Sequence, residues 1–214
     1  MRFIDLSHPL RDGLPSFPSD PVLSITPHAT IEAARCNVSK LSMGSHQGTH
    51  LDAMFHFVPD GRTLDQMPLE WFFGPARVLR LPKHGGEEII AEDFARHEHL
   101  LTPGARILIA TGWEREFGTS RYFSDFPSMT PEAARYLASR KLRLIGMDLP
   151  TPGRDYFEIH HSLLGHGVEM VIVESLANLG ALPDDAEFTF IAFPLNFAGG
   201  DGSPVRAVAI VHDD

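Results

Sequence analysis

Between His46 and His56 the chain reads His46-Gln47-Gly48-Thr49-His50-Leu51-Asp52-Ala53-Met54-Phe55-His56, three imidazoles and a carboxylate in eleven residues. With 12 His in 214 residues, a window of that length holds about 0.6 His on average. Neutral imidazole with carboxylate is a donor set that suits Zn, Mn or Fe. The spacing then restricts the backbone. On a helix His46 and His50 share a face at i, i+4, while Asp52 and His56 point away. In an extended segment all four lie on one face, but a straight strand would put His46 about 13 Å from His50 at ~3.3 Å per residue, too far for one ion. The segment must be extended and bent, and Gly48 is the residue that accepts the bend.

Composition narrows what else the chain can do. At 214 residues with 43% hydrophobic side chains, it has material for one large globular domain spanning 1–214. Eighteen Lys+Arg against 28 Asp+Glu give a formal charge of -10, and no basic stripe is present, so nucleic acid is not an expected partner. No apolar run reaches the ~20 residues of a membrane span, and the N-terminus lacks a signal-peptide pattern, so a soluble cytoplasmic protein is expected. Cys36 stands alone, which removes internal disulfides and Cys-based zinc cages; any metal ligands come from His, Asp and Glu. Packing is the expected role of Cys36, since no nucleophile signature surrounds it.

Apolar or alternating runs predict strands at 3–6, 22–31, 38–43, 77–81, 106–110, 142–147, 170–173, 188–193 and 205–211. The clearest helix is 130–138, with Thr130 as N-cap and Pro131 at the first helical position; 92–101 and 160–164 are weaker. With 17 Pro and 18 Gly scattered and no linker or repeat, the pattern predicts an α/β or α+β fold with a mixed sheet and few helices.

The run His-x-Gly-Thr-His-x-Asp-Ala-x-x-His-Phe, His46 to Phe57 here, resembles the cyclase family of metal-dependent hydrolases, which includes bacterial kynurenine formamidases and isatin hydrolases. The resemblance continues in order along the chain, in Asp5-Leu6-Ser7-His8-Pro9-Leu10, Thr111-Gly112-Trp113, Ile145-Gly146-Met147-Asp148, His160-His161-Ser162-Leu163-Leu164-Gly165, Val173-Glu174-Ser175 and Gly200-Asp201-Gly202-Ser203-Pro204. It implies a swivelling β/β/α fold and one or two divalent ions, Zn or Mn. It further implies that His46, His50 and Asp52 hold the first ion, that Asp52 bridges to a second held by His160 and Glu174, and that His56 is the acid/base group. A small amide or cyclic amide as substrate and a homo-oligomer, dimer or tetramer, are implied as well.

The pattern departs from the family at Met54, where many relatives carry Pro, and after Asp148, where the run Leu149-Pro150-Thr151-Pro152-Gly153 lacks the usual second Asp; Asp155 is the nearest substitute. His160 and His161 adjoin, and helical neighbours point about 100° apart, so one at most faces an ion. His160 keeps the family's distance to Leu163-Leu164-Gly165, and His161 is the alternative. Phe17, Phe55, Phe57, Trp71, Phe72 and Phe73 could line an aromatic pocket, but aromatic clusters are more commonly core, and core is the expectation.

The expected activity is hydrolysis of an amide or formamide C–N bond. An isatin-type cyclic amide or a lactone is the alternative substrate. From another class, the window could be a closed structural metal site in a noncatalytic domain, with His56 as fourth ligand. A serine mechanism lacks its Gly-x-Ser-x-Gly elbow.

Overall fold

Thirteen strands and four helices are present in the computed structural model, which describes residues 1–184 and 186–212. The strands are β1 (Arg2–Asp5), β2 (Ser24–Ala29), β3 (Val38–Ser42), β4 (His50–Asp52), β5 (Phe73–Arg80), β6 (Glu88–Ile89), β7 (Arg106–Ala110), β8 (Ser128–Met129), β9 (Leu144–Met147), β10 (Val171–Glu174), β11 (Phe188–Ile191), β12 (Gly202–Pro204) and β13 (Val208–Val211). The helices are α1 (Ile31–Ala34), α2 (Ala91–Ala95), α3 (Pro131–Ser139) and α4 (Tyr156–Leu164).

Nine strands form one mixed sheet in the order β1-β13-β11-β5-β7-β9-β10-β4-β12. Its centre, β5-β7-β9-β10, is parallel, and β11, β13 and β1 on one side and β4 and β12 on the other are antiparallel. Alternation along the parallel strands decides the layering. Leu108, Leu144, Val171 and Val173 join a cluster with Leu6, Leu51, Phe188 and Phe190, so both ends of the sheet meet one core and the sheet curls around it. Ile107, Ile109, Ile145 and Ile172 face the other way, against Phe94, Ala133, Leu137, Ile159 and Leu163 of the three longer helices. Both faces of the central strands are therefore covered, as parallel strands require.

The mixed sheet with few helices agrees with the sequence expectation, and differences are local. The 22–31 run divides into β2 and α1, which opens after Thr30. β3 is exposed along its whole length and pairs with β2 in a hairpin outside the main sheet. The 205–211 run contributes only β13, and Gly202–Pro204 forms a separate strand that propensity does not favour. The 92–101 helix is α2 followed by a 3-10 turn at Glu98–Leu100. α4 begins at Tyr156 instead of His160, because the Asp155 carboxylate accepts from Glu158 N–H and caps it. α3 starts as expected, with the Thr130 side chain accepting from Ala133 N–H. No helix of the described residues is long and apolar enough to cross a membrane.

Gly146 sits in β9 where a Cβ would come within 2.6 Å of Leu108 Cδ2 and 2.7 Å of Leu176 Cδ1. Gly146→Ala is expected to destabilise the chain by about 1–3 kcal/mol through overpacking. Urea unfolding should show a lower midpoint at unchanged slope; an unshifted midpoint would contradict this packing.

Candidate metal centre

Gly48 makes the bend that the His spacing demands. Its φ is 64°, a conformation that favours glycine, and a Cβ there would lie 2.6 Å from Leu10 Cδ2, a side-chain end that would have to give way. Beyond it the chain enters β4, between β10 and β12. His50 and Asp52 share one face of β4, and the register sets Glu174 opposite His50 and Gly202 opposite Asp52. Thr49 Oγ1 donates to Ser175 O at 2.6 Å and accepts from His8 N at 2.9 Å, which ties the bend to the end of β10. A 3-10 turn over Met54–His56 then folds His56 back, its ring stacked on that of His46 at 3.8 Å. α4 supplies His160 from the helical layer.

The donor atoms converge. His46 Nδ1 is 2.8 Å from Asp52 Oδ1. His50 Nε2 stands 3.3 Å from Glu174 Oε2 and 3.5 Å from Asp52 Oδ1. His160 Nε2 stands 3.4 Å from Glu174 Oε1 and 3.6 Å from Asp52 Oδ2. Ligand atoms of His46, Asp52 and His56 lie within 4.8 Å of one another, as do those of His50, Asp52 and Glu174. Asp52 is common to both groupings, as a bridging carboxylate would be. The other residues divide differently from the expected partition, because the strand register pairs His50 with Glu174 and the 3-10 turn places His56 on His46.

A divalent cation fits this arrangement. Asp52 Oδ2 is buried with no hydrogen-bond partner, a defect that native interiors rarely tolerate. Four of the five carboxylate contacts, at 3.3–3.6 Å, exceed a charge-assisted hydrogen bond of about 2.7–2.9 Å. Two atoms bound to one ion at ~2.0–2.1 Å in tetrahedral disposition stand roughly 3.3 Å apart. His50 and His160 also have their outer nitrogens occupied: Nδ1 meets Gly48 O at 2.8 Å and Tyr156 O at 2.6 Å respectively. A carbonyl only accepts, so Nδ1 carries an N–H and Nε2 is the nitrogen left to face an ion, the arrangement found around metal-ligating His.

The electrostatics point the same way. Asp52 and Glu174 are nearly inaccessible to solvent, and no Lys or Arg lines the cavity beside them. Burial opposes a charge on His46, yet hydrogen bonds to Asp201 and Asp52 raise its pKa to about 10. Burial likewise opposes a charge on His160, and Asp52 and Glu174 hold it up at about 9. Burial favours the neutral Asp52, but His160 and His46 keep its carboxyl well below the ordinary range. The cluster thus gathers positive charge. His56 goes the other way: burial lowers its pKa, with Asp52 opposing in part.

Above the cluster opens a cavity of about 150 Å³, where one water needs roughly 10–15 Å³ on the same measure. His46, His50, His56, His160 and Glu174 lie along its floor, and Phe17, Phe57, Phe117, Phe123 and Tyr156 form apolar walls. Phe17 and Phe57 therefore line the cavity instead of entering the core. Trp71 and Phe72 are core, while Phe55 and Phe73 are exposed, on a turn and at a strand start. His161 turns to Phe157, and Asp155 caps α4, so neither joins the cluster. Asp148 accepts from Thr111 and Gly112 and anchors two strand ends. Asp201, to which the sequence reading gives no role, contacts His46 Nε2 at 3.0 Å; its place beside Gly202 in a motif block is the signal that could have found it.

A family model described as "Putative cyclase" matches residues 4–154. Kynurenine formamidase of a Bacillus cereus strain is 33% identical over 214 residues, covering 96% of each chain. Kynurenine formamidase of a Bacillus mycoides strain is also 33% identical, covering 97% of this chain and 96% of the relative. Among solved structures, isatin hydrolase A from Labrenzia aggregata bound to benzyl benzoate superposes with TM-score 0.86 at 27% identity, covering 99% of this chain and 94% of that one. A potential metal-dependent hydrolase with cyclase activity gives TM-score 0.81 at 26% identity, covering 100% and 99%. The His46 to Phe57 motif, the curled mixed sheet and these matches across nearly the whole length have one common reading: the chain belongs to the cyclase family.

Proposed function

We propose that this chain is a metal-dependent hydrolase of C–N bonds, acting on an aryl formamide or related amide. The observation that carries the reading is the convergence of four imidazoles on two buried carboxylates, one of them with an unpartnered oxygen, at the floor of an aromatic cavity. His46, His50, Asp52, His160 and Glu174 would hold one or two divalent ions; Zn and Mn both suit imidazole and carboxylate. Such an ion supplies Lewis-acid activation of water and of a carbonyl group.

The chain's own residues do the rest. His56 lines the cavity and, with its pKa lowered by burial, is neutral at neutral pH. It accepts a proton from the attacking water and returns it to the leaving nitrogen. Phe17, Phe57 and Phe117 hold an aromatic ring and exclude bulk water. An isatin-type cyclic amide is the second reading. In its favour, the lining has no Lys or Arg to meet the carboxylate of an amino-acid substrate. Assembly into a homo-oligomer belongs to the same reading, supported by outward Ile31, Val38 and Leu41 on and beside the hairpin.

Turnover of N-formylkynurenine, isatin and an aryl lactone by protein of measured metal content is the direct test. Hydrolysis of an amide that stops on chelation and returns with Zn or Mn is expected; inertness of fully loaded protein on all three defeats the proposal. His56→Ala should keep its metal and lose about 10²- to 10⁴-fold in rate. Loss of metal together with folding would instead favour a structural site. Metal binding should also depend on pH. In the metal-free chain His46 and His160 carry protons up to about pH 10 and 9. An ion must displace them, so affinity should rise with pH through neutrality and level off once both rings are deprotonated. Calorimetry in buffers of different ionisation enthalpy should detect the released protons at pH 7; no release would contradict the ligand set.

A further inference from the structure

We propose that Asp201 and Gly202, at the head of β12, form a seat that orients His46 for the ion, which makes Asp201 a positioning residue acting through His46. This rests on the metal reading above. Three imidazoles face Asp52 or Glu174 with one ring nitrogen and turn the other outward. For His50 and His160 the outward atom is Nδ1, held by a backbone carbonyl. His46 is reversed. Its Nδ1 faces Asp52 Oδ1 and its Nε2 meets Asp201 Oδ2 at 3.0 Å. A carboxylate only accepts, so without an ion both nitrogens donate; once an ion takes the place of the Nδ1 proton, Asp201 keeps the N–H on Nε2 and leaves the Nδ1 lone pair toward the cluster.

The corner is itself built in. Ser45 Oγ donates to Asp201 Oδ2 at 3.1 Å, and Ala53 N donates to Asp201 O at 2.9 Å. Pairing of Gly202 with Asp52 keeps the corner beside β4. Gly202 provides the second half of the seat. A Cβ there would stand 2.3 Å from His46 Cε1, 2.7 Å from Nε2 and 2.9 Å from Nδ1. Those are atoms of the ring itself, so any side chain at 202 would push the ring from its place, and glycine leaves the space it occupies. One neighbour fixes which nitrogen carries the proton, and the other fixes where the ring plane lies.

The experiment measures Zn or Mn affinity of the full chain by competition with a chromophoric chelator, with urea unfolding of the chelator-treated protein alongside. Asp201→Ala should weaken binding about 10- to 100-fold, and the metal-free unfolding midpoint should fall modestly, because Asp201 also holds the His46 ring when no ion is present. Asp201→Asn, whose amide oxygen still accepts from Nε2, should recover most of the loss. Gly202→Ala should weaken binding by displacing the ring. If the parent chain binds the ion and Asp201→Ala matches it, the seat is wrong and the metal reading stands; a parent chain that takes up no ion overturns both. An Asp201→Asn variant that binds the ion no better than Asp201→Ala also overturns the positioning role.

Discussion

Two carboxylates buried together without a fixed cation set the problem that this structure solves. Asp52 and Glu174 are 1% and 4% exposed and approach the same imidazole nitrogens. Removing such charges from water is strongly unfavourable unless opposite charge is brought to them. Lys and Arg would satisfy them permanently, and neither lines the cavity. His46 and His160 would satisfy them conditionally, as protonated rings when no ion is present and as neutral ligands when one is. The cluster is therefore suited to an exchangeable cation, and the raised pKa values of His46 and His160 reflect the same demand as the orphaned oxygen of Asp52.

The fold meets this demand by placing the cluster at a seam. β10, β4 and β12 run side by side, so Glu174, His50, Asp52 and Gly202 are fixed by backbone pairing and need no long loop. The floor of the cavity is a sheet edge packed over the curled core, and His160 arrives from the helical layer on the other side. The middle of α4, which carries His160, and β10, which ends on Glu174, share one apolar cluster through Ile159, Leu163 and Ile172. The cavity wall opposite, by contrast, is a stretch without regular structure, 15–20, which joins the floor through Ser16 Oγ to Gln47 Oε1 at 2.5 Å. Chemistry rests on rigid elements here, while substrate shape is left to a loop, the segment type that varies most readily.

How much of this is legible in the sequence follows from which signals are local. The bend at Gly48, the shared face of His50 and Asp52, the Glu at the end of an apolar strand and the cap of α3 all depend on near neighbours, and each can be read from the chain. β12 cannot. Gly202-Ser203-Pro204 has little strand propensity, and it is a strand because β4 pairs with it. Asp201 escapes a local reading for the same reason, since its partner His46 lies 155 positions away. The start of α4 falls earlier than its pattern suggests because Asp155, by sequence the nearest substitute for the missing second Asp, instead caps the helix. Aromatic side chains are the hardest to place: Phe57 and Phe72 are equally apolar, and only the tertiary fold decides that one lines a cavity and the other a core.

The different partners of the three histidines follow from depth. The His50 and His160 side chains are 4% and 3% exposed, and a further carboxylate behind each would add buried negative charge to a cluster already short of positive charge. A backbone carbonyl fixes their tautomer without that burden, at Gly48 for one and at Tyr156, one helical turn back, for the other. His46 is 13% exposed, and Asp201 beyond it is 40% exposed, so water offsets most of the desolvation of that acid. A carboxylate behind the ring raises the basicity of the nitrogen in front. The most exposed imidazole of the three therefore has the most basic inward nitrogen.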